Sequence, residues 1–358
     1  MAIHTLQLVS KPLSLQRHRR CVNQIFELAR EKECYPVYNK NGTLAFKMRD
    51  CKGIIVAIME YMIPHITITI NPSILLGGKY DDLCEITAVN FEYCAGMIDE
   101  VLAQLKINLT CSQLILSRID CTVDIAFPSE AEIMEYIFCL KRTELAPAYK
   151  THEFDPSADE RNAERNQHSF RVACQDVSLT VYDKSYQLAD QGLMLENEIP
   201  PNRLRVEAAF ESGAFQRLFY RYGKFTLYDT TKEKIVWFSE MSVRLLEDYF
   251  RRTLAPGDYL RFDLAVRKIE ESNFSRKKKE RMLDFLHQVV RCHKNGVRKA
   301  IRRFKERGYS SSQVKGVLNS FQEIGLNPVT IHNDSTLERF PCIPEMLMGK
   351  NALPALVS

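Results

Sequence analysis

Apolar and polar positions follow two rhythms along this chain. Up to about residue 225, short period-two runs dominate, and 43–49, 53–60, 65–70, 114–127, 169–173, 177–183 and 203–210 read as strands. Helical spacing predicts helices at 16–32, at 86–105 (Val89, Phe91, Met97, Val101, Leu105), after a capping box at Ser129–Glu132, and at 215–222. Turn chemistry punctuates the runs. Asn41-Gly42 is a hairpin signature, Asn71-Pro72-Ser73 ends a strand, Gln175-Asp176 turns a hairpin, and Pro200-Pro201 marks a connector. Residues 151–167 are charged and turn-rich, the best candidate for a mobile loop.

Beyond residue 225 the period becomes helical, at 234–254, 257–271, 275–293, 297–307 and 311–325, with a short extended piece at 329–332. Ser310 supplies an N-cap for the last of these helices and Gly325 its C-cap. The pattern predicts an α+β fold: a sheet with covering helices on one side, then a mostly helical C-terminal domain. The expected division is 1–225, 226–335 and a tail at 336–358.

Composition adds that the chain is globular, with 45% hydrophobic and 26% charged residues. Its net charge of +4 hides an asymmetry: from Arg276 to Arg307 there are 13 Lys/Arg against 3 Asp/Glu, or +10, leaving −6 elsewhere. Such a block suits a polyanionic partner. Eleven cysteines without a CxxC pair or zinc-finger spacing point to a reducing compartment. No apolar run follows Arg17–Arg20, so no signal peptide is expected, and no stretch is long enough to span a bilayer. A cytoplasmic location without membrane attachment is the expectation.

Strand alternation then places chemistry. In 118–127, Asp120, Thr122 and Asp124 share the face opposite Ile119, Cys121, Val123 and Ile125. Thr180, Tyr182 and Lys184 oppose Leu179, Val181 and Asp183, while Arg203, Arg205 and Glu207 oppose Leu204, Val206 and Ala208. If these strands are neighbours, one sheet face gathers carboxylates, a tyrosine and cations. Oxygen ligands of this kind suit Mg²⁺ or Mn²⁺, and a tyrosine can attack a polarised phosphate when cations such as Lys184 and Arg205 assist it. Charged residues on an exposed strand face are also ordinary surface decoration.

The order RID-T-D (Arg118–Asp124), VYDK (Val181–Lys184), LRVE (Leu204–Glu207) resembles the trans-acting replication initiators (Rep) of rolling-circle plasmids and related mobile elements, over about 114–210. The resemblance implies a modified ferredoxin-like, relaxase-like antiparallel sheet and a metal-dependent endonuclease that nicks origin DNA. Residue by residue, Tyr182 matches the nicking tyrosine, and Asp120 and Glu207, with Asp124, match the acidic metal-site positions. It further implies a 5′-phosphotyrosyl intermediate, a helicase and a polymerase as partners, and a homodimer. One departure is clear: the His-hydrophobe-His metal motif of most relaxase-type nickases is absent. His168 begins the strand preceding Tyr182, and Tyr186 lies four residues beyond it as a second tyrosine. Tyr136, Tyr149 and Trp237 read as packing residues.

In the basic block, Arg298, Lys299, Arg302, Arg303 and Lys305 cover more than one helix face and suit phosphate contacts. The turn at Gly308-Tyr309 into 311–325 suggests a helix-turn-helix whose recognition helix carries Gln313, Lys315 and Asn319. Two other functions fit the same residues: a non-catalytic DNA-binding initiator or regulator using the sheet as scaffold, and a conjugative relaxase.

Overall fold

A computed structural model describes residues 2–38, 44–48, 53–59, 64–79, 82–193, 202–223, 230–292 and 295–349. Within them the strands are β1 (Ala2–Val9), β2 (Cys34–Tyr38), β3 (Leu44–Met48), β4 (Ile54–Met59), β5 (His65–Ile70), β6 (Ile115–Ala126), β7 (Lys150–Thr151), β8 (Ser169–Cys174), β9 (Val177–Asp183), β10 (Arg203–Glu211), β11 (Tyr259–Leu260) and β12 (Arg339–Phe340). The first ten form one antiparallel sheet in the order β2-β3-β4-β5-β1-β6-β10-β9-β8-β7. The helices are α1 (Leu15–Arg30), α2 (Pro72–Leu75), α3 (Ala88–Gln104), α4 (Glu130–Arg142), α5 (Asn162–Gln167), α6 (Lys184–Asp190), α7 (Ser212–Arg221), α8 (Thr231–Thr253), α9 (Phe262–Glu270), α10 (Arg276–Val290), α11 (Gly296–Glu306), α12 (Ser311–Glu323) and α13 (Ile343–Met348). The fold is the mixed α+β architecture expected, a large antiparallel sheet with helices and a helical C-terminal part. The Asn41-Gly42 turn and the Pro200-Pro201 connector lie outside the described residues. No helix among them is long and apolar enough to cross a membrane.

The central strand β1 is absent from the sequence reading, and its geometry explains why. It sits between β5 and β6, with register shifts between Ile3 and Thr5 and between Gln7 and Leu8. The first shift makes the step between the buried side chains Ile3 and Leu6 three positions, not two, so period-two counting fails there. Elsewhere the alternation holds. Ile119, Cys121, Val123 and Ile125 of β6, Leu204, Val206, Ala208 and Phe210 of β10, and Leu179 and Val181 of β9 are all buried on one face.

Helices cover that face. α8 lies across β6, β1 and β10, while α4 packs on β8 and β9. Trp237 and Phe238 of α8 meet Phe219 edge-on and tilted, with centroids 4.8 and 5.9 Å away, and Phe210 lies 5.8 Å from Phe238. Each such ring withdrawn from water stabilises by about 1.5–3 kcal/mol. Tyr136 and Trp237 are buried and Tyr149 packs against the core, as their packing roles require.

The helical C-terminal part is tied to this layer by Arg142, a buried residue at the end of α4. Its guanidinium donates to the carbonyls of Val289, Cys292 and Thr330 at 2.9, 3.2 and 3.4 Å. Within the stretch expected as a tail, β12 pairs with β11, and α13 packs Ile343, Met346 and Leu347 against α8 and β6. Another seam is backbone on backbone: Asp258 N–H donates to Gly325 O and Asn327 N–H to Asp258 O, at 3.2 and 2.9 Å.

Gly257 makes that seam possible. Its φ is +102°, and a Cβ there would stand 2.5 Å from the Leu326 carbonyl carbon. Both the dihedral and the space demand glycine. Gly257→Ala should therefore cost about 2 kcal/mol or more, read as a lower urea midpoint with an unchanged slope. An unchanged midpoint would show that the two backbones separate freely.

Candidate functional site

The register sets rows of polar residues across the face opposite the helices. One row runs Asp124, Arg205, Tyr182, Ser169 across β6, β10, β9 and β8, and the next runs Thr122, Glu207, Thr180, Arg171. Asp120 lies a row further on, paired with Ala209 on one side and Thr5 on the other. The sheet thus brings together the tyrosine, carboxylates and arginines singled out from the sequence.

They are paired with one another. Arg205, fully buried, donates from Nε and one terminal nitrogen to the two oxygens of Asp124 at 2.6 and 2.8 Å, and Arg203 approaches the same carboxylate at 3.6 Å. Arg118 makes the same fork on Asp120 at 2.7 and 3.0 Å. Tyr182 Oη donates to Glu207 Oε1 at 2.7 Å. Lys184, also fully buried, opens α6 and donates from Nζ to Gln187 Oε1 at 2.8 Å. Burial is the difference from the sequence reading, which treats this as an open face: Asp120, Asp124, Tyr182, Lys184 and Arg205 are all buried.

Burial governs the protonation states. Desolvation pushes the Asp120 carboxyl up to about 6 despite the Arg118 hydrogen bond and charge, and Glu207 pushes the same way. Desolvation also lifts Tyr182 well above the ordinary phenol range; the Glu207 charge adds to this, and Arg205 opposes it. Burial works against the Arg205 charge, but the Asp124 hydrogen bond and the nearby Tyr182 and carboxylates outweigh it and raise its pKa. His4, on β1, is pushed down to about 3 by desolvation first and then by Arg205 and Lys184, so it is a neutral imidazole.

A cleft of about 560 Å³ opens over these rows, lined among others by Arg118, Asp120, Arg171, Tyr182 and Glu207. Its far wall comes from α5, α6 and the segment before them. That segment, expected as a mobile loop, is knitted together: Asn166 and Phe154 exchange two hydrogen bonds at 2.8 and 2.9 Å, and Arg165 bridges Asp159 and Asp190 at 3.1 and 2.8 Å. Tyr186 lies in α6 and does not share a helix with Tyr182, which lies in β9; its half-buried ring stacks on His168 at 3.7 Å. Among the described residues, three metal-ligating atoms gather within 4.8 Å at Glu130, His168 and Asp183 and at Asp258, Cys342 and Glu345. Asp120, Asp124 and Glu207 are not so gathered. Glu130 reads from sequence only as a capping residue, and fifteen positions separate His168 from Asp183, so hairpin pairing alone reveals the first group.

The basic helices differ from expectation in one respect. α11 buries Val297, Ala300 and Phe304, which confines Arg298, Lys299, Arg302 and Lys305 to the exposed side, with Arg303 half-buried and 3.2 Å from Gln288 Oε1. Ser310 caps α12 in a capping box with Gln313, whose side chain accepts from Ser310 N–H at 2.8 Å. That engages one predicted recognition residue, while Lys315 and Asn319 are exposed.

No protein-family model matches the chain, and no curated protein matches it. A solved structure of a rolling circle replication initiator protein from Geobacillus stearothermophilus is similar at 11% identity and a TM-score of 0.30, over 71% of this chain and 84% of that one.

The raised carboxyl of Asp120 has a signed consequence. Its ordinary value is 3.8 and its folded value about 6, so its contribution to stability is complete below the first and lost as pH rises through the second. The stability of wild type relative to Asp120→Asn should fall between about pH 4 and pH 7, measured by urea unfolding across that range. A flat difference would show that Arg118 keeps the carboxylate at its ordinary value.

Proposed function

We propose that this chain is a DNA strand-nicking enzyme of the replication-initiator kind, with Tyr182 as nucleophile. The observation that carries the reading is the 2.7 Å hydrogen bond from Tyr182 Oη to Glu207 on the wall of an arginine-lined cleft. A nucleophile bonded to a carboxylate base, with a fixed cation beside both, is the arrangement an attacking hydroxyl needs. Glu207 takes the phenol proton, and Arg205 offsets the charge that develops on the oxygen. Tyr182 Oη forms a bond to phosphorus as the bond to the 3′-oxygen breaks. The proton ends on that oxygen, leaving a 5′-phosphotyrosyl link and a free 3′-OH. Arg118 and Arg171 line the path of the incoming phosphates.

A divalent cation such as Mg²⁺ or Mn²⁺, when bound, would polarise the scissile phosphate. Asp120, Asp124 and Glu207, the holders expected from sequence, already accept hydrogen bonds from Arg118, Arg205 and Tyr182, so a metal among them would share or compete for those oxygens. In this reading origin DNA is the partner, held by the basic face of α11, and a helicase and polymerase extend the freed 3′ end. A homodimer is part of the same reading.

One observation favours a non-catalytic DNA-binding protein instead: Tyr182 is 7% exposed, and burial holds it protonated. A covalent-adduct assay separates the two. Full-length protein, Mn²⁺ and labelled single-stranded DNA tiled across its own gene neighbourhood should give a labelled protein band. Tyr182→Phe should lower its yield at least about 100-fold while leaving DNA affinity nearly unchanged. An adduct that survives Tyr182→Phe and disappears in Tyr186→Phe would move the nucleophile to Tyr186. No adduct beside clear duplex binding would sink the nicking reading.

The basic face makes a separate prediction. Replacing Arg302 and Arg303 by Gln should weaken DNA binding at every sequence and lower the salt dependence by roughly one to two units in log Kd against log salt. An unaltered slope would place the phosphates elsewhere.

A further inference from the structure

We infer that Glu130, His168 and Asp183 form a divalent-cation site at the rim of the cleft. The assignment deepens the strand-nicking reading and rests on it only for what the cation would do; binding is read without DNA. His168 precedes β8 and Asp183 ends β9, and the hairpin sets them side by side, with Asp183 N–H donating to His168 O at 3.0 Å. Both side chains are more than nine-tenths buried, yet His168 Nδ1 and Asp183 Oδ2 have no hydrogen-bond partner and face each other at 3.5 Å. Orphaned buried polar atoms are expensive, and two converging on one point call for a shared partner. Glu130 Oε1 stands 4.0 Å from the same nitrogen, on an exposed side chain at the start of α4.

The spacing suits a metal. Ligands about 2.1 Å from a common ion lie roughly 3.0–3.4 Å apart in octahedral or tetrahedral geometry, so a small inward movement completes the set. Three protein ligands leave positions open for water or a phosphate oxygen. One imidazole with two carboxylates suits Mn²⁺ or Zn²⁺ better than Ca²⁺. The surroundings hold the ligands in place: Asp183 Oδ1 caps α6 by accepting from Tyr186 N–H at 3.0 Å, which leaves Oδ2 free, and the Tyr186 ring lies flat on the imidazole.

The second gathered group is a useful contrast. Around Asp258, Cys342 and Glu345, Arg339 already bridges the carboxylates at 2.8 and 2.5 Å, so a cation is built in. No arginine or lysine pairs with Asp183 among the ion pairs of the described residues.

Mn²⁺ titration of the full-length protein, followed by the loss of the free-ion electron paramagnetic resonance signal, tests the site. Wild type should bind one ion at this position. Glu130→Gln, on an exposed side chain, and Asp183→Asn, which keeps the capping oxygen, should each weaken binding at least about tenfold with the circular dichroism unchanged. Asp120→Asn should leave binding within about twofold of wild type. Absence of Mn²⁺ binding in wild type, or equal binding in the Glu130 and Asp183 variants, would reduce the group to a buried His–Asp pair. Binding lost in Asp120→Asn but kept in Asp183→Asn would move the ion to the sheet carboxylates. A protein that binds Mn²⁺ here yet forms no DNA adduct would keep this site and lose only the nicking reading.

Discussion

A guanidinium and a carboxylate buried against each other in the middle of the sheet are the constraint around which the polar face is organised. Taking Arg205 and Asp124 out of water costs several kcal/mol per ion, and only a forked, two-bond geometry at 2.6 and 2.8 Å offsets it. The two residues lie directly opposite across β10 and β6, so the pair exists in one register alone. Slipping by one position would turn Leu204 and Val206 outward and leave both charges unpartnered. Removing either partner should be far more damaging than removing both, because the loss lies in the orphaned charge.

The same pair sets the electrostatics of everything near it. Tyr182 faces Arg205 across β9 and β10, and its hydroxyl reaches diagonally to Glu207. Burial and Glu207 hold the phenol protonated while Arg205 pulls the other way, and the first two win. A tyrosine in that balance keeps its proton. New positive charge entering the cleft would act in the same direction as Arg205 and favour loss of that proton. The neutral His4, held near a pKa of about 3 by burial and these cations, adds no competing charge from the β1 side.

Much of this was legible in the sequence because β6, β9 and β10 are regular. Their strict alternation told which residues share a face, and pairing of neighbours did the rest. β1 escaped because its bulge breaks the period between Ile3 and Leu6. The true state of the face also escaped: a charged residue in an alternating strand looks exposed, whereas Asp124 and Arg205 are buried by satisfying each other. The Glu130–His168–Asp183 group was illegible for a different reason. Its members sit at a helix start, a strand start and a strand end, and only the hairpin and the packing of α4 against β8 and β9 bring them together.

The helical part shows how a tally of charge misleads without a phase. Residues 297–307 look basic all round as a list, but Val297, Ala300 and Phe304 recur at three- and four-residue spacing and form a complete buried stripe. Phe304 meets Phe285 of α10 edge-on at 5.1 Å, which anchors α11 and leaves its cations on the far side. A rigid helix with one apolar seam and one basic face presents its charges in a fixed array, where a helix basic on every side would have no reason to dock. Arg142 donates to the carbonyls of Val289 at the end of α10 and of Cys292 just after it, which joins α10, the partner of α11, to α4, whose first residue is Glu130.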